Sequence, residues 1–236
     1  MKRFYSVALA SMAALAAIAA PASAATLRAP QAAISGTSLQ TYFNGVGESI
    51  NVTTDQLNIQ RWKTTISGNS TMTLQISLAG NPRADAVGVY NANGPDSPPL
   101  YEVFPGSAPA NWFAIASFRP ATSQLIVSRF DQSGVLQAGP ITYNGVNTSD
   151  FGYYIQGPNG TMYTQDSRQP GTNSTQAVVY AGTGDNFGCW WLCFEDSPLG
   201  GQGSDLSFDD AVLFLESVNP TPVSHTTWGS VKARFR

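Results

Sequence analysis

The stretch TMTLQISLAG, residues 71–80, decides the fold class. Along it apolar and polar side chains alternate, which is the two-residue period of a β-strand with one buried face and one solvated face. The apolar set is Met72, Leu74, Ile76 and Leu78, and the polar set is Thr71, Thr73, Gln75 and Ser77. Because such strands are typical of antiparallel sheets, the stretch predicts a sheet that packs on a core with one face and meets water with the other.

Short strands of this kind recur along the chain, separated by turn-forming residues. The turn clusters include NANGPDSPP, FDQSG and QGPNG, and no window with a helical period lies between the predicted strands. Ten further strands are predicted, at residues 86–90, 100–104, 112–118, 124–130, 135–143, 151–156, 161–164, 177–181, 189–194 and 211–217. We therefore predict an all-β fold, a single antiparallel β-sandwich over residues 38–218 with a jelly-roll-like topology.

Two segments precede the predicted strands. Residues 25–37 show no periodicity, which indicates a flexible leader. The stretch SLQTYFNGVG, residues 38–47, begins with Ser38, a residue type that caps helix N-termini well. Its apolar residues at helical spacing are Leu39, Tyr42, Phe43 and Val46. This pattern predicts one short N-terminal helix whose apolar side packs on the sheet.

The N-terminal 24 residues have the composition of an export signal. A basic pair, Lys2 and Arg3, precedes the apolar residues 7–20 and the small-residue sequence Ala22-Ser23-Ala24. We expect cleavage there and a mature chain of an exported bacterial protein, located extracellularly, at the cell surface or in the periplasm. No later stretch is long and apolar enough to predict a transmembrane span.

The charge of the chain argues against a nucleic-acid partner. The full sequence holds 12 basic and 15 acidic residues. Without the export signal, 10 basic and 15 acidic residues remain, which is a net charge of −5. Because proteins that follow a phosphate backbone carry a basic face, we expect an extracellular polysaccharide or a surface protein as partner, and no nucleic acid.

Cysteine and histidine are too few for several common sites. Cys189 and Cys193 lie four residues apart on a predicted strand, a Cα separation of roughly 13 Å, so we expect two buried free thiols. A disulfide would instead need a tight turn between them. The one histidine, His225, lies in the tail. The body therefore offers neither a zinc site nor a Ser-His-Asp or Cys-His arrangement.

The stretch GSDLSFDDAVLF, residues 203–214, places three aspartates directly before a predicted buried strand. Glu195 and Asp196 end the strand before it, so pairing of residues 189–194 with residues 211–217 would bring five carboxylates to one end of a hairpin. Such carboxylates repel one another unless a cation intervenes. We expect these residues, Glu195, Asp196, Asp205, Asp209 and Asp210, to bind calcium as the cofactor. The alternative is that the aspartates cap turns through nearby backbone amides.

The same part of the chain resembles a known family. WWLCFEDSPLGGQGSDLSFDDAVLFLE, residues 190–216, is similar to the aromatic strand, acidic step, glycine loop and acidic motif of the domain-of-unknown-function 4114 family of exported bacterial proteins. The resemblance covers about residues 184–216 and extends more weakly back to residue 143. The matching residues are Glu195, Asp196, Asp205, Phe208, Asp210 and Val212. Ser207 and Asp209 depart from the motif, at positions where the family has aspartate and asparagine.

The resemblance implies a β-sandwich, an exported location and a calcium-dependent structural or adhesive role. We therefore expect an exported, non-catalytic surface or extracellular-matrix protein whose acidic hairpin binds calcium. Two alternatives stay open. A glycosidase would use a carboxylate pair such as Glu195 with Asp209. A carbohydrate-binding module would use exposed aromatic rings beside the acidic loop.

The aromatic residues that a carbohydrate-binding module could use are Trp62, Trp112, Tyr153, Tyr154, Trp190 and Trp191. Two adjacent residues of a strand point to opposite faces of its sheet. We therefore expect one ring of each adjacent pair to lie in the core. A carbohydrate-binding module would expose the other ring for stacking on a sugar, whereas burial of both rings is the more common arrangement in a sandwich.

The C-terminal residues 219–236 are predicted to be a Pro-containing linker followed by a basic amphipathic tail. In a helix, Trp228, Val231 and Phe235 would share one face, and the basic residues Lys232, Arg234 and Arg236 would surround it. Such a segment is expected to contact a membrane surface or a partner protein. The alternative is a disordered C-terminus.

Overall fold

The structure is a computed structural model that describes residues 25–65, 68–76, 85–169, 175–198 and 204–221. Four predicted features lie outside these residues. They are the signal peptide (residues 1–24), the end of the predicted strand at residues 77–80, most of the glycine loop that precedes Ser204, and the amphipathic tail from residue 222 onward.

Within the described residues, one α-helix and thirteen strands form the fold. The helix is α1 (Ser38–Gly45). The strands are β1 (Trp62–Thr64), β2 (Asn69–Ile76), β3 (Ala86–Asn91), β4 (Leu100–Phe104), β5 (Phe113–Arg119), β6 (Gln124–Phe130), β7 (Leu136–Asn144), β8 (Phe151–Gly157), β9 (Gly160–Tyr163), β10 (Ala177–Ala181), β11 (Trp190–Phe194), β12 (Ala211–Leu215) and β13 (Val218–Pro220). Short 3₁₀ helices occupy Pro120–Thr122, Asp166–Arg168 and Gly184–Asn186.

The strands form two antiparallel sheets, which confirms the predicted all-β sandwich. The first sheet has six strands in the order β13-β1-β8-β3-β4, and β9 also pairs with β8. The second has seven strands in the order β10-β11-β12-β2-β5-β6-β7. This strand order does not by itself establish the jelly-roll topology that we predicted.

The main core lies between the two sheets. On β5 the alternate residues Ala114, Ala116 and Phe118 are buried, as the two-residue period requires. From the opposite sheet Trp62 and Phe151 enter the same core with no exposed surface. Burial of each such large apolar side chain contributes roughly 1.5–3 kcal/mol to the free energy of unfolding.

A second core lies on the outer face of β10, β11 and β12. There Phe43 of α1 packs edge-to-face on Tyr180 and Trp191, at ring-centroid distances of 5.3 and 5.4 Å. The prediction that the helix packs on the sheet is therefore confirmed. Two details were wrong. The N-cap is Thr37 instead of Ser38, and Val46 is exposed because the helix ends before it.

Residues 25–37, which we predicted to be a flexible leader, make specific contacts with the domain. The Arg28 guanidinium forms an ion pair with Asp166 at 2.7 Å, and the Ala32 N–H donates to the Gln56 side chain at 2.7 Å. The Ser35 N–H donates to the Leu206 carbonyl at 2.9 Å. These contacts could not be predicted from the sequence, because they are hydrogen bonds and one ion pair. Such contacts do not require apolar residues at regular spacing.

The predicted linker also begins later than we expected. Val218–Pro220 forms strand β13, which pairs with β1 so that Trp62 lies opposite Pro220. A proline is tolerated there because β13 is an edge strand and no neighbour needs its missing N–H. The domain therefore extends at least to Pro220.

Gly88 on β3 sits where two neighbouring strands leave no room for a side chain. A Cβ atom added there would lie 2.1 Å from the Tyr101 carbonyl oxygen and 2.8 Å from a ring carbon of Tyr154. Because the first of these atoms is backbone, Gly88→Ala is expected to lower the free energy of unfolding by about 1–3 kcal/mol. Urea unfolding measures this change, and Gly45→Ala is the matched control.

The control substitution at Gly45 adds the same methyl group in open space at the end of α1. It is expected to leave stability unchanged or to raise it slightly, because alanine favours helix more than glycine does. Equal stability losses in the two variants would contradict the close approach at Gly88.

Candidate metal site at the end of a buried hairpin

Two apolar strands, β11 and β12, pair as the sequence analysis required. They are antiparallel neighbours with Trp190 opposite Leu215 and Phe194 opposite Ala211. Both strands are almost wholly buried. Because Phe194 and Ala211 form the last pair, the residues that follow and precede them, Glu195 and Asp210, leave the sheet side by side.

This end of the hairpin gathers three carboxyl groups. One oxygen each from Glu195, Asp196 and Asp210 can be chosen so that all three lie within 4.8 Å of one another. Calcium binds its oxygen ligands at about 2.3–2.6 Å, so two oxygens on opposite sides of one ion lie roughly 5 Å apart. The spacing of the three carboxyl groups therefore fits a shared calcium ion.

Burial makes this acidic cluster unusual. The Glu195 side chain is 1% exposed and Asp210 is 8% exposed. The Asp196 N–H donates to Asp210 Oδ2 at 2.8 Å, but the Oε2 atom of Glu195 is buried and has no hydrogen-bond partner. A buried carboxylate oxygen without a donor is costly. Glu195 therefore needs either a proton or a cation.

The pKa values of the two buried carboxyl groups reflect this cost. Burial, together with the nearby charges of Asp210, Asp205 and Asp196, raises the pKa of Glu195 to about 8. Burial also raises the pKa of Asp210 to about 7, with Asp196, Asp205 and Asp209 adding repulsion. Without a metal ion, both groups hold protons at pH values where an ordinary carboxyl group is ionised.

Basic side chains do not compensate the cluster in the described part of the chain. The ion pairs found there join Arg28 to Asp166, Arg61 to Asp150 and Arg129 to Glu102. None of them includes Glu195, Asp196 or Asp210. The negative charge of the cluster is therefore available to a cation.

The other two predicted ligands, Asp205 and Asp209, lie outside the group of three. Asp205 is exposed and accepts a hydrogen bond from the Ser207 N–H at 2.9 Å. Asp209 is buried and accepts one from the Ser207 hydroxyl at 2.5 Å. The Asp205 contact is the backbone capping that the alternative predicted, whereas the Asp209 contact joins two side chains. Asp205 still lies close enough to raise the pKa of Glu195.

Asp205 and Asp209 instead line a separate cavity of about 550 Å³. Its other lining residues are Ser35, Gly36, Thr37, Ser38 and Ser207. The leader and the start of α1 thus form one side of the cavity. The sequence analysis missed these residues because about 170 positions separate them from the aspartates and no local pattern links the two segments.

Backbone contacts hold the cluster in place. The Glu195 N–H donates to the Gln176 carbonyl at 3.0 Å, and the Gln176 amide donates to the Ser197 carbonyl at 2.6 Å. On the other side, the Phe208 N–H donates to the Glu195 carboxyl. Phe208 adopts a φ of 54°, a left-handed conformation that is uncommon for a bulky residue. Neither Gln176 nor this conformation could be recognised from the sequence.

Both rings of each adjacent aromatic pair are buried, which is the arrangement expected to be the more common one in a sandwich. Tyr153 and Tyr154 are 0% and 2% exposed, and Trp190 and Trp191 are 8% and 3% exposed. The Trp191 ring points away from the main core, but helix α1 packs on it, so the ring is not exposed to solvent. These four rings offer no platform for a sugar.

The two cysteines are free, as predicted, with Cys193 buried and Cys189 half-buried. No helix among the described residues is long and apolar enough to cross a membrane. In comparisons with known proteins, no family model, no curated protein and no solved structure matches the chain. The resemblance to the domain-of-unknown-function 4114 family therefore stays a prediction that rests on the motif alone.

Proposed function

We propose that this protein is an exported, non-catalytic component of the cell surface or extracellular matrix whose acidic hairpin binds one calcium ion. Glu195, Asp196 and Asp210 are the protein ligands of that ion. The bound ion gives the domain a structural or adhesive role, because it joins the end of β11 to the loop that leads into β12.

One observation carries this proposal, the buried Oε2 atom of Glu195. It has no hydrogen-bond donor, and it belongs to a carboxyl group that lies close to those of Asp196 and Asp210. A cation would supply the missing partner and would remove the repulsion among the three groups. Turn capping accounts for the hydrogen bond from the Phe208 N–H to the Glu195 carboxyl group, but not for the Oε2 atom, which has no partner among the described residues.

The donor set favours calcium over softer metals. All three side chains offer carboxylate oxygens, which suit hard cations. Calcium also accepts irregular geometry and completes its six to eight ligands with water and backbone carbonyls. The charge of Asp205, which also raises the pKa of Glu195, would add to the electrostatic attraction of the cluster for a cation.

Calcium titration of the chain from Ala25 onward tests the proposal. We expect one saturable binding event by isothermal titration calorimetry and a higher melting temperature in calcium than in chelator. At a calcium concentration 100 times the dissociation constant, the stabilisation is about 2.7 kcal/mol. For a domain of this size it corresponds to a rise of roughly 5–10 °C in melting temperature.

Two variants show where the ion binds. Asp210→Asn removes one charge from the cluster and should abolish most of the heat and of the thermal shift. Asp185→Asn removes the same charge from an exposed loop and should leave both unchanged. Absence of binding at millimolar calcium, or equal effects of the two substitutions, would contradict the proposal.

A further inference from the structure

The open cavity of about 550 Å³ lies between the start of α1 and the loop before β12. Residues 35–38 line one wall, and Asp205, Ser207 and Asp209 line the other. We call it the leader cavity. Its volume lies within the range of small-molecule sites, roughly 300–1,000 Å³. None of the three proposed calcium ligands is among the described residues that line it, so its chemistry is separate from that of the acidic cluster.

Contacts outside the leader cavity hold its two walls together. The Ser35 N–H donates to the Leu206 carbonyl at 2.9 Å. Phe208 is fully buried and belongs to the second core, together with Leu39 and Phe43 of α1. The walls are therefore in place before any ligand arrives, and binding costs little conformational entropy.

Asp209 presents the cavity with an acceptor that lacks a donor. This residue is only 5% exposed, and it lines the cavity. Its Oδ1 atom accepts a hydrogen bond from the Ser207 hydroxyl, whereas no group in the described part of the chain donates to its Oδ2 atom. The ion pairs found there do not include Asp209 either. Because a buried carboxylate oxygen is costly without a donor, a ligand that donates to Oδ2 is favoured.

The start of α1 presents donors on the other wall. The first N–H groups of a helix have no partner within the helix. Thr37, the N-cap residue, lines the cavity and forms no capping hydrogen bond with its side chain. Ser38, the first residue of the helix, also lines the cavity. These N–H groups form the positive end of the helix dipole, so this wall attracts acceptor oxygens and repels cations.

A hydroxyl group suits both walls, because it donates one hydrogen bond and accepts two. An anion would be repelled by Asp205 and Asp209. An ammonium group would have no acceptor for the N–H groups of α1. The described lining residues include no basic and no aromatic side chain, so recognition depends on hydrogen bonds. A neutral ring that carries several hydroxyl groups can bridge the carboxylates and the helix at the same time.

We infer that the leader cavity binds a neutral saccharide, whose hydroxyl groups donate to Asp209 and accept hydrogen bonds from the start of α1. No aromatic ring stacks on the sugar, so binding is weak, with a dissociation constant in the millimolar range. This site goes beyond the calcium proposal and does not depend on it, because the cavity and its walls are formed without the ion.

Nitrogen-15 NMR of the labelled chain from Ala25 onward, in chelator, tests this inference. The probes are glucose, galactose, mannose and N-acetylglucosamine, each added up to about 50 mM. We expect at least one of them to shift the amide signals of residues 35–38 and 205–209 in a saturable way. Phosphate and ethylammonium, the charged probes, should not saturate these shifts. The chelator keeps the calcium site free of metal, so a positive result cannot come from bound calcium.

Three variants locate the sugar. Asp209→Asn removes the charge but can still accept the Ser207 hydrogen bond, and it should weaken sugar binding about tenfold. Ser35→Leu fills the exposed rim of the cavity without changing the charge, and it should abolish binding. Asp185→Asn is the matched control. It removes an exposed charge from Gly184–Asn186 and should leave sugar binding unchanged.

Calcium titration of the same variants separates this inference from the calcium proposal. Asp210→Asn should lose calcium binding and keep sugar binding, whereas Asp209→Asn should do the reverse. Thermal unfolding confirms that each variant folds. The inference is overturned if none of the four sugars shifts the signals at about 50 mM, since the cavity then holds only water. Saturable binding of ethylammonium in place of the sugars overturns it as well, and so do equal effects of Asp209→Asn and Asp185→Asn.

Discussion

Glu195→Gln is expected to stabilise the metal-free protein at alkaline pH and to abolish calcium binding. The pKa of the buried Glu195 carboxyl group is raised to about 8. Above pH 8 this group is therefore ionised in the folded wild-type chain although it is buried. Glutamine has nearly the same shape and carries no charge, so it avoids this cost. Each pKa unit corresponds to about 1.4 kcal/mol, and we therefore expect a gain of about 2–4 kcal/mol at pH 9.

The same substitution should do little for stability at pH 5. There the wild-type carboxyl group is already protonated in the folded state, and the neutral acid and the amide make similar contacts. Urea unfolding in chelator at pH 5 and pH 9 measures both values, and calorimetry measures calcium binding. The paired result, a more stable chain that no longer binds calcium, separates a ligand from an ordinary structural residue. A loss of stability at pH 9 would show that Glu195 has a hydrogen-bond or ionic partner that glutamine cannot replace.

Asp185→Asn is the control for this prediction as well. Asp185 is exposed and lies in the 3₁₀ turn before β11. Loss of its charge changes the net charge of the protein by the same amount as Glu195→Gln does. It should change neither the stability at pH 9 nor the calcium affinity.

Most strands could be predicted from the sequence to within one or two residues. Phe113–Arg119 and Gln124–Phe130 show the two-residue period of a strand with one buried face, whereas Trp190–Phe194 and Ala211–Leu215 are short, continuous apolar runs that are buried almost throughout. The strands that were missed, Trp62–Thr64 and Val218–Pro220, have three residues each, too few to show a period. They exist because they pair with each other and, through Trp62, with Phe151. Such pairing depends on distant parts of the chain, so no local pattern predicts it.

The candidate site could be predicted in part. Glu195 and Asp210 flank two apolar strands that pair as a hairpin, so their proximity follows from the strand pattern. The separation of Asp205 and Asp209 from them depends on the loop backbone. Leu206 and Phe208 both adopt positive φ values, of 60° and 54°, which bulky residues rarely do. The positions of the five acidic residues in the sequence therefore could not show which three carboxyl groups lie close together.

The exposure of the aromatic residues could not be predicted for a related reason. A strand pattern shows which side chains point away from the main core, but it does not show whether another segment covers them. For Trp191 that segment is α1, which lies about 150 residues earlier in the chain. The sugar-binding alternative depended on such rings being exposed, so the helix removes its main support at these positions.

The metal-free protein is also expected to lose stability as the pH rises from about 5 to 9. The pKa of Glu195 is raised to about 8 and that of Asp210 to about 7, whereas both groups have ordinary values near 4 in the unfolded chain. Between these limits the folded state binds more protons than the unfolded state. Stability therefore falls with rising pH, which is the opposite of the usual behaviour of carboxyl groups. We expect a total loss of several kcal/mol.

Calcium should reverse this dependence, because it replaces the protons and binds best to the ionised carboxylates. We expect the thermal shift in saturating calcium to increase from pH 6 to pH 9, and calorimetry at pH 6.5 in buffers of different ionisation enthalpy to show one to two protons released per ion. Glu195→Gln should lower the pH slope of the metal-free chain and, because it no longer binds calcium, should show no calcium-linked proton release, whereas Asp185→Asn should change neither the slope nor the proton release. A melting temperature in chelator that stays constant or rises from pH 5 to 9 would contradict the raised pKa values. In that case partners within the protein would already neutralise the charge of the cluster, and no calcium ion would be required to offset it.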